Sequence, residues 1–172
     1  MKKYIFRKYT PKYLKFFSSE KKRIVKALGS TVKIEHVGST AIASLGGKGI
    51  VDIVVGVSKA KLQEAKKKLE KAGYEFREKA SYPERLFFRR DYPYKNRKRR
   101  IHIHLVKFGG TDWKEMIGFR NYLLKHPEVV EQYVKIKKEA VKKADGRGGV
   151  YRKHKENFIK SITKKALRGS PR

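Results

Sequence analysis

The residues best suited to chemistry fall in the segment 35–57 and in one short alternating stretch beyond it. Gly38-Ser39 follows an apolar stretch and precedes Thr40. A glycine there lets backbone N–H groups approach an anion closely, and Ser39 adds a hydroxyl. Ser39 or Thr40 is expected to cap a short helix through Ala43, which would add the positive end of a helix dipole. Asp52 then interrupts a Val/Ile run, 50–57. A carboxylate in an apolar strand is costly to bury unless paired, and binding Mg²⁺ beside a triphosphate would give it a reason to be there. The plain alternative is an ordinary glycine-serine turn and an edge-exposed acid.

In Ile101–Lys107 the alternation puts Ile101, Ile103 and Leu105 on one face and His102 and His104 on the other. Such a pair can line an active site, bind a transition metal, share a proton-transfer role, or form a hydrogen-bonded polar face. Two histidines alone do not define a metal site. His36, beside the Gly-Ser turn, can join them or brace the turn. Asn96–Arg100 with Tyr92 and Tyr94 just before it forms a basic stretch interleaved with aromatics. Such a turn, roughly 95–100, suits single-stranded RNA, and its plain alternative is a hairpin tip with no partner.

Together these residues resemble the GrpB family, which is assigned to the polymerase-β-like nucleotidyltransferase superfamily. The resemblance is carried by His36-Val-Gly-Ser-Thr40, Lys48-Gly-Ile-Val-Asp52, Glu84-Arg85-Leu86-Phe87-Phe88 and His102-Ile-His104. It continues in Phe119-Arg120-Asn121-Tyr122-Leu123, His126-Pro127-Glu128, Tyr151, Lys155, Phe158 and Ile159, and so spans roughly residues 32–167. The resemblance implies a nucleoside triphosphate as substrate, Mg²⁺ or Mn²⁺ as cofactor and transfer of a nucleotidyl group to an unidentified acceptor. It assigns catalysis to Asp52, His102 and His104, and phosphate binding to Gly38, Ser39, Thr40, Lys48, Arg85, Arg120, Tyr151 and Lys155. The superfamily pattern puts a second carboxylate two residues after the first, where this chain has Val54. Glu35 or His104 would then complete a metal site with Asp52. Two other readings stand beside transfer: a non-catalytic nucleotide- or RNA-binding module that kept the fold, and a phosphoryl-transfer enzyme using the same cleft.

These side chains need elements to hold them. The pattern predicts helices over 19–28, 58–73, from 111 to before Pro127, and 127–144, with a last helix after the GRGG break, 146–149. Strands are expected over 31–37, 50–57, 74–79, 85–90 and 101–107, with a basic turn over 91–100 and a loose tail from Gly169. The expectation is an α+β fold, a mixed nucleotidyltransferase-like sheet, with an N-terminal core over 1–110 and a C-terminal helical cap over 111–172.

Composition sets the partners. Lys plus Arg number 46 against 16 Asp plus Glu, a formal charge of +30. Such a field steers polyanions inward, so nucleotides and RNA are the expected partners. Apolar residues at 39% suffice for a core and exclude a disordered polycation. The chain has no cysteine, which removes disulfides and thiol chemistry. It has no 18-residue apolar run and no signal-like start, so the expected compartment is the cytoplasm and no membrane is a partner.

Overall fold

The computed structural model describes residues 6–169; Ser170–Arg172, most of the expected tail, lie outside them. A five-stranded mixed sheet has the order β1-β2-β5-β4-β3. Its strands are β1 (Lys33–Val37), β2 (Val51–Val57), β3 (Glu75–Phe76), β4 (Arg85–Tyr94) and β5 (Arg97–Lys107). β2 and β5 run parallel, and every other pair is antiparallel. The parallel pair needs a long crossover, which α2 (Leu62–Lys71) and the β3–β4 segment supply.

The sheet divides its side chains by strand periodicity. Ile53, Val55, Ile101, Ile103, Leu105 and Phe88 pack with α1 (Lys12–Leu28) and α2 in the main core. Val37, Val54 and Val106 face the other way, against Trp113, Met116 and Ile117 of α3 (Thr111–Lys125). Beyond α3, the helices α4 (Pro127–Ala144) and α5 (Gly148–Arg168) share an apolar cluster with Ile42 and Leu45. The C-terminal helices therefore cover the sheet face that carries Asp52 and the histidines. Among the described residues no helix is long and apolar enough to cross a membrane.

Four elements differ from the sequence expectation. Helix α1 begins at Lys12, well before Ser19, because Tyr13, Phe16, Glu20 and Ile24 form its buried face and Pro11 presets a helical φ at its start. Glu20, the acid on that face, accepts hydrogen bonds from Tyr74 and Arg90. The stretch 91–100 is mostly strand: β4 and β5 continue to a two-residue turn at Lys95-Asn96, with Lys95 left-handed at φ 52°. Alternate charges in that hairpin point to solvent, and charge alone does not break a ladder. β3 is only two residues long and gives way to a 3₁₀ turn over Glu78–Ala80. The helix expected after Ser39 is a single 3₁₀ turn, Ser39–Ala41.

Candidate functional site

The strand registers put the candidate residues in rows across one face. Val37, Asp52, His102 and Arg89 are partners in one row, and Glu35, Val54, His104 and Phe87 in the next. Partners in a row point to the same side. Asp52 thus stands beside His102 by register, and its Oδ1 lies 3.1 Å from His102 Nδ1 and 3.8 Å from His104 Nε2. The first distance is a hydrogen bond and the second only an ion-pair contact. With the Nδ1 proton directed at Asp52, His102 Nε2 is left bare as an acceptor. The Phe87 ring packs edge-on against His102 at 4.8 Å and fixes its plane. Burial disfavours the Asp52 carboxylate, but the hydrogen bond from His102 and the contact with His104 outweigh it and hold the carboxyl far below its usual range. Burial lowers the His104 pKa, opposed by its contact with Asp52.

Gly38 is required by what lies against it. Its φ of 69° and ψ of −168° fall in a region essentially restricted to glycine. A Cβ there would stand 2.6 Å from Asp52 Oδ2. The turn is thereby pressed onto the carboxylate. Ser39 Oγ accepts a hydrogen bond at 2.5 Å from Lys137 Nζ, which also donates to Gly46 O at 2.5 Å. Lys137 is only 1% exposed, on the core-facing side of α4. Because the helix dipole of a single 3₁₀ turn is slight, the positive charge at Ser39 comes from this ammonium.

Two further lysines join it. Lys48 Nζ and Lys155 Nζ sit over the Tyr151 ring, 4.1 and 4.3 Å from its centroid, and Tyr151 is itself buried. All three lysines are depressed. Burial and then the neighbouring Lys155 and Lys48 charges bring Lys137 down to about 7, while Asp52 opposes the shift. Burial, Lys155 and Arg152 bring Lys48 to about 8, again against Asp52. Burial brings Lys155 to about 8, with Arg152 lowering it further and Asp52 opposing. One buried and two half-buried cations that repel one another near a single carboxylate form a site suited to a polyanion.

Other expected site residues take structural positions. Thr40 is buried; its hydroxyl donates to Ile50 O at 3.0 Å and lies 2.9 Å from His36 Nε2. Since that hydroxyl proton is used, His36 Nε2 is the donor in the pair. His36 stacks on Phe17 at 4.8 Å, and burial lowers its pKa to about 4, with Asp52 opposing and Arg120 adding to the shift. It is a neutral brace for the turn. Arg120 donates to Glu35 Oε2 at 2.7 Å and to His36 O at 2.9 Å, fastening α3 to β1. Arg85 pairs with Val106, four residues along β5 from His102, and lies 3.8 Å from Asp112 and over the Tyr82 ring. That puts it at the far end of the sheet from Lys48. Lys137 belongs to no motif in the sequence, although its spacing from Tyr133 and Ala140 on the apolar side of α4 marks it.

The expected Mg²⁺ or Mn²⁺ site does not match this donor set. Glu35 is committed to its ion pair with Arg120. Asp52 has one oxygen toward the two histidines and the other against Gly38. Among the described residues no group of three or more His, Asp or Glu is placed to hold a metal ion. Hard divalent cations need several free oxygen ligands, which these residues do not supply.

Comparison with known proteins agrees with the resemblance in the sequence. A family model described as GrpB protein matches residues 4–165. The chain is 31% identical over 151 residues to the glutamate-rich protein GrpB of Alkalihalophilus pseudofirmus, covering 86% of this chain and 87% of that protein. It is 25% identical over 162 residues to the UPF0157 protein YqkA of Bacillus subtilis, covering 93% of this chain but only 46% of that longer protein. The crystal structure of conserved protein GrpB from Enterococcus faecalis superposes with a TM-score of 0.81 at 28% identity, covering 95% of this chain and 98% of that one.

Proposed function

The chain belongs to the GrpB family, and from there we propose that it binds a nucleoside triphosphate by its phosphates and transfers the nucleotidyl group to an acceptor hydroxyl. The observation that carries this reading is the cluster of Lys48, Lys137 and Lys155, each close enough to feel the Asp52 charge, with Lys137 bonded to Ser39 and Asp52 to His102. A triphosphate brings several negative charges in a short chain. Three ammonium groups held at depressed pKa gain their full charge when it arrives, and the buried surroundings strengthen each contact.

The chemistry follows from the atoms present. The acceptor oxygen attacks the α-phosphorus. A new P–O bond forms, the bond to the bridging oxygen between the α- and β-phosphates breaks, and pyrophosphate leaves. The acceptor proton passes to His102 Nε2, and Asp52 steadies the imidazolium through Nδ1–H. The lysines neutralise the charge gathering on the leaving pyrophosphate. No step is assigned to a divalent ion. The net charge of +30 supports a polyanionic acceptor such as RNA.

A second reading, nucleotide binding without transfer, is favoured by one observation. Val54 leaves Asp52 as the lone carboxylate on its strand. One experiment separates the two. Each α-labelled NTP is incubated with the protein, with and without an oligoribonucleotide, and pyrophosphate and labelled product are measured. Transfer is expected to disappear in Asp52→Asn and in His102→Gln while NTP binding persists. Product formed equally by Asp52→Asn overturns transfer at this site. NTP binding with no product under any condition selects the second reading, and absence of NTP binding overturns both.

A further inference from the structure

A concavity of about 330 Å³ lies between the N-terminal segment and the tip of the β4–β5 hairpin. Its walls carry Lys8 and Lys12 from one side and Lys95, Arg97 and Lys98 from the other, and no carboxylate lines it. Lys48 also lines this space, yet its ammonium sits over Tyr151 inside the phosphate site. The two spaces therefore meet at one side chain. We propose that this groove holds the acceptor, a single-stranded nucleic acid, with its sugar-phosphate backbone along the groove and its end delivered past Lys48 toward Asp52. The inference rests on the nucleotidyl-transfer reading and adds to it the class of acceptor.

The groove is a built feature of the fold. Arg7 and Gly47 exchange two backbone hydrogen bonds, Arg7 N to Gly47 O at 2.6 Å and Gly47 N to Arg7 O at 2.8 Å. The N-terminal wall is thus tied to the same glycine-rich loop that receives Lys137. On the floor, the Arg99 guanidinium packs 4.2 Å from the Phe16 ring centroid and donates to Gly49 O at 3.0 Å. That arginine is occupied in holding the floor, whereas Lys8, Lys12, Lys95, Arg97 and Lys98 stand on the walls, where phosphates can reach them.

Size and charge together select the partner. A space near the small end of ligand clefts admits one chain of nucleotides, and a duplex, whose base pairs hold its backbones apart, does not enter it. Walls of cations without acids favour backbone phosphates over base edges, so binding is expected to be sequence-tolerant and strongly salt-dependent. If the five wall cations each meet a phosphate, log affinity against log salt for a single strand has a slope of roughly −3.5.

The test is fluorescence anisotropy on the full chain with labelled oligouridylate, oligodeoxythymidylate and a hairpin duplex over a range of salt. The triple variant Lys8→Gln, Arg97→Gln, Lys98→Gln changes only exposed side chains. It is expected to flatten the single-strand slope by about 2 and to weaken binding at least about tenfold at low salt. Its ATP binding stays at the parent value, which also reports that it is folded. Preference for the uridylate or for the deoxythymidylate supports the groove alike and decides between RNA and DNA. A matched control, Lys61→Gln, Lys67→Gln, Lys71→Gln, removes three exposed charges on and beside α2. Equal loss in the control, equal affinity for the duplex, or no loss in the groove variant overturns the proposal. Lys137→Met distinguishes the two readings, because it is expected to lose ATP binding and keep strand binding.

Discussion

Replacing Lys137 by Met is expected to make the protein more stable and less able to bind nucleotide. Lys137 is 1% exposed, and burial together with its neighbours brings its pKa from 10.5 to about 7. The open chain therefore holds this proton more tightly than the fold does. Between about 7 and 10.5 the unfolded state binds more protons, so stability rises with pH across that window. At 1.36 kcal/mol per pH unit, the charged lysine destabilises the fold by about 5 kcal/mol well below pH 7, and by about 4 kcal/mol at pH 7. Methionine has a similar length and no charge. Its penalty is the unpaired Gly46 carbonyl, roughly 1–3 kcal/mol, since the Ser39 hydroxyl can turn elsewhere. The net expectation at pH 7 is a gain of about 1–3 kcal/mol, with a flatter dependence of stability on pH. Urea denaturation at several pH values reads the stability, and equilibrium ATP binding reads the function. A Lys137→Met protein that is less stable than its parent and still binds ATP would refute the reasoning, because Lys137 would then be a structural lysine satisfied by Ser39 and Gly46.

Other outcomes follow from the same geometry. ATP affinity is expected to be highest below pH 7 and to fall as pH rises from 7 to 9, because Lys137 at about 7 and Lys48 and Lys155 at about 8 must be protonated to hold phosphate; a titration flat over that range contradicts their role. Gly38→Ala should cost roughly 2–4 kcal/mol, from its left-handed φ of 69° and a Cβ 2.6 Å from Asp52 Oδ2, and should abolish transfer. Thermal melting with a Tm equal to that of the parent would show that the turn is not pressed against Asp52. Since the site residues offer no set of free oxygen ligands, ATP affinity in EDTA should lie within about threefold of that in Mg²⁺. A gain of more than about tenfold on adding Mg²⁺ would mean that the ion takes part in binding.

What the sequence displayed and what it concealed differ in physical kind. Strand periodicity displayed the paired faces of β5, so the convergence of His102 and His104 on one side was legible from alternation alone. Asp52 was legible because an acid in a Val/Ile run is expensive. Long-range pairing was not legible. Nothing in the local pattern says that Arg120 crosses from α3 to take Glu35 and the His36 carbonyl, and the expected second carboxylate was lost to that contact. Lys137 was concealed by composition, since one lysine among 46 basic residues draws no notice. Its signal was positional: Tyr133, Lys137, Ala140 and Ala144 share the buried face of α4, and a charge on such a face needs a reason. The basic hairpin misled in the opposite direction, because its charges suggested a loop where the backbone continues its ladder to Lys95.

The missing second carboxylate and the lysines have a common structural cause. Val54 is fully buried, in one cluster with Val37 and Val106 and against Trp113, Met116 and Ile117 of α3. An acid at that position would lie buried under the helical cap, and Arg120, beside the same row, is already held by Glu35 and the His36 carbonyl. Closing α3 onto the sheet therefore favours an aliphatic residue at 54. The same helical layer brings Lys137 of α4 onto Ser39, and Lys155 of α5 within electrostatic reach of Lys137 and Asp52. Positive charge for a phosphate chain then arrives on side-chain stems from the cap. A lysine in such a place is tuned by its own burial, so its charge at neutral pH depends on whether an anion is present. On the proposed reading that coupling would make phosphate binding and proton uptake a single event, which a site built on two carboxylates and a divalent cation would not require.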